Sequence, residues 1–205
     1  VEFANTTYQD ILDRYIFGEE VPINELRKIW RESTQCIGRF GEATIYFELL
    51  KKIRTVNFSL SVNNKIRVLG GDPPIDWEVV RSVDDYNKSN CQRDIYPAEL
   101  SIEYGLNRSM KVLVIYAESH ITKITDKTAF SHSNISTYIN DKYPDTIKCI
   151  AILNPQEFQL EKQTKNYPLY SIIDLNTEEI GNLPAEKYFT QIFNENGKMI
   201  LFKDH

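Results

Sequence analysis

The chain predicts an α/β fold, a mainly parallel sheet flanked by helices, from three observations. Short apolar runs with strand character recur along it: Val1–Ala4, Lys65–Leu69, Lys111–Tyr116 and Ile147–Leu153. Segments with three-and-four apolar spacing lie between them, the signature of helices packed on one face. Strands separated by helices favour parallel crossovers.

Each element has its own local reason. Val1–Ala4 reads as the end of a buried strand. Tyr8 to Phe17 carries Ile11, Leu12, Tyr15 and Ile16 on one helical face, and Gly18 stops it. Pro22 opens a second helix with Ile23, Leu26, Ile29 and Trp30 at helical spacing. A third is expected from Glu42 to Asn57, its apolar face set by Ile45, Tyr46, Leu49, Leu50, Ile53 and Val56. Lys65–Leu69 alternates as a strand does and runs into Gly70-Gly71-Asp72-Pro73-Pro74, a strongly punctuated loop. Trp77–Val80 suits one helical turn, and Gln92–Tyr104 a full helix whose first turn is limited by Pro97. Lys111–Tyr116 is the best strand in the chain, apolar enough to predict burial on both faces. Ser133–Tyr143 reads as a helix and Ile147–Leu153 as the next strand. Tyr170–Ile173 and Met199–Phe202 read as short strands beside turns such as Asn196-Gly197.

A chain of 205 residues fits a single α/β domain over 1–205, with a core over 1–155 and C-terminal strands and turns over 156–205. The net charge is −5, and Lys and Arg are scattered, which argues against a nucleic-acid partner because backbone phosphates demand a basic footprint. The apolar runs are too short to span a bilayer. Cys36, Cys91 and Cys149 form no pairable framework and no CxxC spacing, consistent with free thiols in a reducing, cytoplasmic compartment. The chain opens at Val1 without a methionine, which leaves room for a signal peptide or an earlier strand upstream.

Ligands of parallel α/β sheets bind beyond the carboxyl ends of the strands. Polar residues stand at those expected positions: Glu2 and Asn5 after the first strand, Asp72 and Asp76 after the second, and Glu118, Ser119 and His120 after the third. His120 is the strongest candidate, because imidazole moves protons near neutral pH and this one follows the most apolar strand. Asp72 also suits a simple turn former, and Asp76 a helix cap. Arg93 is placed to clamp an anionic or carbonyl group, whereas Asp94 is explained by the macrodipole of the helix it opens. Nucleotide fingerprints, a nucleophile elbow and short-spaced metal ligands are missing from the sequence, so no tightly held transition metal is expected.

Several runs resemble a group of uncharacterised bacterial proteins: Glu2-Phe3-Ala4-Asn5 with Tyr8-Gln9-Asp10, Gly18-Glu19-Glu20-Val21-Pro22, Trp30-Arg31-Glu32-Ser33-Thr34-Gln35, Gly71-Asp72-Pro73-Pro74-Ile75-Asp76-Trp77, Gln92-Arg93-Asp94, and Leu113-Val114-Ile115-Tyr116 with His120. That group is similar to the superfamily of erythromycin esterases, ChaN-like haem-binding proteins and TraB/Tiki-type proteins. The resemblance covers about the first 155 residues. It implies that Glu2 matches a second-strand glutamate and His120 a late histidine, while a first Glu/His motif would lie upstream of Val1. The function it implies is a hydrolase of an ester, lactone or amide, with water activated by His120 and Glu2 as catalytic residues. Asn5, Asp72, Asp76, Arg93 and Glu118 would contact a small-molecule substrate, Arg93 steadying an oxyanion. The alternative is a non-catalytic, haem-like small-molecule binding protein of the same fold. The superfamily spans several activities, so fold alone selects neither, and cofactor and oligomeric state stay open.

Overall fold

A computed structural model describes residues 1–35, 44–121, 134–150, 191–193 and 199–201. The chain divides into two compact units, one formed by Val1–Thr125 with Ser133–Cys149 and the other by Asp126–His132 with Ile150–His205. Of the second unit the structure describes a two-stranded antiparallel hairpin, β1 (Gln191–Phe193) and β2 (Met199–Leu201), with Ile192 opposite Ile200.

The first unit corrects the α/β expectation. Its described elements are helices: α1 (Gln9–Phe17), α2 (Ile23–Arg31), α3 (Thr44–Ser59), α4 (Val83–Asn90), α5 (Ile95–Tyr104), the single turn α6 (Glu118–Ile121) and α7 (Ile135–Lys142). No sheet forms among its described residues, so the mainly parallel sheet does not stand. The segments read as strands are extended but irregular. Val1 N donates to Leu69 O, Gly71 N to Val1 O and Asp72 N to Ala4 O, yet only Asn5 and Asp72 meet the geometry of a bridge, a parallel one. Lys111–Tyr116 fares worse. Among the described residues one non-local backbone bond reaches it, Glu2 N to Ile115 O, and Leu113 is 76% exposed where burial on both faces was expected. Strand character needs a partner to supply the ladder, and an apolar run alone does not create one. Ile147–Ile150 is likewise irregular. The remainder of that run, Tyr170–Ile173 and Asn196-Gly197 lie outside the described residues, whereas Met199–Leu201 is a strand.

The helices follow their amphipathic patterns closely. α1 buries Leu12, Tyr15 and Ile16, and α2 buries Leu26, Ile29 and Trp30, each set at three-and-four spacing. They join Phe3, Ala4, Leu50 and Val68 in one core, and Phe3 stacks on Tyr46 with ring centroids 4.1 Å apart. Gly18 ends α1 in the left-handed region, φ 112°, where a side chain would be strained. A second cluster gathers Ala98 of α5 with Ile135 and Ile139 of α7.

α3 turns most of its expected face to the core, with Leu50 buried and Tyr46, Leu49 and Ile53 packed beside it, but two polar residues share that side. Ile45 is exposed, while Arg54 and Asn57 join Leu50 on the buried side. Both polar side chains satisfy backbone groups near the end of α1. Arg54 donates to the carbonyls of Tyr15 (2.7 Å), Gly18 (3.0 Å) and Glu19, and pairs with Glu20 at 2.7 Å. Asn57 donates to Ile16 O and exchanges two bonds with Ile66. Helix C-termini leave carbonyls without intrahelical donors, and α3 supplies them here.

Candidate functional site

The site forms where four chain segments of the first unit meet: residues 1–5, the loop at Gly71-Asp72, the turn before α5, and the stretch 115–120 entering α6. Glu2 stands at the centre. Its Oε1 accepts from Arg93 Nη2 at 2.6 Å, and its Oε2 accepts from the backbone N of Ala117 at 2.7 Å. His120 Nε2 lies 3.7 Å from Glu2 Oε1, and Nδ1 lies 2.8 Å from Asp94 Oδ1. Against a carboxylate oxygen Nδ1 is the donor, so a neutral ring presents Nε2 as an acceptor on the side of Glu2. These side chains are mostly sheltered, 18% exposed at both Glu2 and His120. Shelter strengthens each charge interaction relative to water.

Local structure explains the placement. His120 lies on α6, whose turn is closed by His120 N donating to Ala117 O. Asp94 occupies the N-cap position of α5 but makes no side-chain cap bond, leaving its carboxylate for His120. Arg93 and Asp94 thus work from one turn, which Pro97, tolerated in the first turn of α5, leaves undisturbed.

Beside Glu2 is a hollow of about 130 Å³ lined by Glu2, Phe3, Gln35, Tyr46, Ile115 and Tyr116. Gln35 is held there by donating from Nε2 to Glu2 O at 3.0 Å. The Tyr116 ring meets His120 edge-on, centroids 6.0 Å apart, and its hydroxyl is buried with no hydrogen-bond partner among the described residues. Burial, then the charges of Asp72 and Glu2, push that phenol far above its ordinary range, so it stays protonated. A side chain at Gly71 would collide with this hydroxyl, so the close approach requires glycine there.

Asp72 is buried completely. Its Oδ2 accepts from Thr34 N at 2.6 Å, its Oδ1 accepts from Thr34 Oγ1, and Arg93 Nε stands 4.0 Å from Oδ1. Burial raises its pKa to about 6, against the opposing pull of the Thr34 bonds and Arg93.

The residues singled out by sequence therefore separate. Glu2, Arg93 and His120 come together, with Asp72 behind Arg93. Asn5 is a buried tie, donating to Glu32 O and Ile75 O and accepting from Thr7 N. Asp76 is exposed and only shapes its own turn, accepting from Glu78 N. Glu118 opens α6, and its side chain lies outside the described set. Sequence reasoning missed Asp94, because a helix-start carboxylate already had an adequate structural role. It also missed Gln35, Tyr46 and Tyr116. Gln35 and Tyr116 stand in runs quoted above, whereas Tyr46 carried no signal beyond its place on the apolar face of the third helix.

Among the described residues no three His, Cys, Asp or Glu side chains are grouped to hold a metal ion, and no helix is long and apolar enough to cross a membrane.

No family model, curated protein or solved structure matches this chain.

Proposed function

We propose that the cluster is a hydrolytic site acting on a small ester, lactone or amide. One observation carries the reading: His120 is held at Nδ1 by Asp94 while its Nε2 faces the Glu2–Arg93 pair. That arrangement suits a general base. Nε2 takes a proton from a water, the resulting hydroxide adds to the acyl carbon, and the imidazolium returns the proton to the departing oxygen or nitrogen. Asp94 keeps the ring in one tautomer and offsets the positive charge as it forms. Glu2 fixes Arg93 through one of five N–H donors, which leaves others to meet a developing oxyanion. The hollow beside Glu2, about 130 Å³ and lined on that side by Glu2 itself, is small against the ~300–1,000 Å³ of pockets for drug-sized ligands, which favours a small substrate. A haem-sized guest does not suit it.

Turnover of a panel of short-chain p-nitrophenyl esters, thiolactones and anilides by wild type and His120→Ala tests this. The expected result is activity in wild type that falls about a hundredfold in the variant, with stability changed by no more than about 1 kcal/mol. Equal rates in the two proteins, or a variant that unfolds, would reject the site.

A further inference from the structure

We propose that Asp72 is a positioning residue of this site, a carboxylate clamp that fixes both the Ser33–Gln35 segment and the Arg93 guanidinium around Glu2. Its consequence for turnover rests on the hydrolytic reading; the clamp itself does not. Three observations converge. The side chain has no exposed surface, so it cannot meet a substrate in the hollow. Both of its oxygens are used on one residue, Thr34, through the backbone N–H and the hydroxyl. Thr34 immediately precedes Gln35, which walls the hollow and donates to Glu2 O. On its other side Asp72 stands 4.0 Å from Arg93 Nε, and Arg93 grips Glu2 at 2.6 Å. One buried carboxylate thereby reaches Glu2 by two routes, one from each side.

The backbone of Asp72 is anchored independently. Its N donates to Ala4 O, and its O accepts from Thr6 N and Thr6 Oγ1. Losing charge at the side chain therefore alters Thr34 and Arg93 without unseating the loop. The ionisable groups facing it are Arg93 from the turn before α5, Glu2 from the first segment and Tyr116 from the stretch before α6. Arg93 favours its charged form and Glu2 opposes it, while burial dominates and brings its titration to about 6. Below that pH the clamp holds a neutral acid, which accepts less strongly from Thr34 N and no longer attracts Arg93.

The test follows the backbone amide at position 34 in ¹⁵N-labelled protein across pH, in wild type, Asp72→Asn and Thr34→Val. In wild type this amide should titrate with a midpoint near 6. Asp72→Asn should be flat. Thr34→Val retains the amide donor but loses the hydroxyl donor, so the same amide should titrate at a higher midpoint, a readout that survives if Asp72→Asn folds poorly. With an ester turned over by wild type, Asp72→Asn should lower kcat by about tenfold or more with little change in KM. A Thr34 amide that does not titrate between about pH 4.5 and 8 would overturn the clamp, whatever the protein catalyses. Titration as expected, with kcat unchanged in Asp72→Asn, would overturn its service to the site. If His120→Ala leaves turnover intact, the hydrolytic reading falls and with it that service, while the amide titration still decides the clamp.

Discussion

Two apolar stretches of the first unit met opposite fates. The faces of α1 and α2, a few residues each, are deeply buried at their centres: Ile16, Ile29, Leu12 and Leu26 are all 1% exposed or less. Lys111–Tyr116 is the more apolar stretch, yet Val112, Leu113 and Ile115 are exposed. The difference is where each element finds its hydrogen bonds. A helix closes its own ladder and needs neighbours only for its apolar face. A strand must borrow both its ladder and its packing from elsewhere in the chain. Apolar content measures how much burial would gain, and it does not say whether a partner is present.

That contrast can be broken by substitution. Leu12→Ala should lower unfolding stability by about 2–5 kcal/mol, the usual toll of a core cavity, whereas Leu113→Ala should stay within about 0.5 kcal/mol. Urea denaturation of both variants reads the pair together, and comparable losses would mean that 111–116 is packed after all. Arg54→Ala sharpens the same comparison, because the helical core depends on one polar side chain. It leaves the Gly18 carbonyl just past α1 without its donor, takes one of two donors from Tyr15 O, and should cost about 1–3 kcal/mol. A loss under about 0.5 kcal/mol would show that water replaces it freely.

A pH-dependent difference is expected from Asp72. Its folded pKa of about 6 lies above that of an unfolded aspartate, so between about pH 4 and pH 6 the folded state binds more protons than the unfolded one. Stability contributed at this residue is therefore greatest in acid and falls as pH rises through that window, by on the order of 3 kcal/mol. Melting temperatures of wild type and Asp72→Asn measured from about pH 4 to 7 isolate it. Wild type should lose ground to the variant as pH rises, and parallel curves would count against a raised Asp72 pKa.

The helical half of the fold was legible because its signals are local. Gly18 and Pro22 bracket the break between α1 and α2, and apolar residues three and four apart mark the buried faces. α3 shows the limit of that reading. Arg54 and Asn57 belong to its buried side for reasons found about forty residues earlier, in the carbonyls ending α1. α4 was missed altogether, since Val83–Asn90 buries no residue and has no apolar stripe to read. The candidate site was legible at Glu2, Arg93 and His120, whose residue types carry proton and charge chemistry. It was not legible at Asp94, because the same carboxylate serves equally well as a helix-start charge until the His120 ring is seen beside it.

A double-mutant cycle on that last contact is the most direct test of the account. kcat/KM for one short-chain ester would be measured in wild type, Asp94→Asn, His120→Ala and the double variant. If Asp94 acts by orienting and balancing the imidazole, Asp94→Asn slows wild type by about tenfold or more, and the double variant is no slower than His120→Ala alone. Losses that multiply in the double variant, or an Asp94→Asn protein as fast as wild type, would contradict a working Asp94–His120 pair.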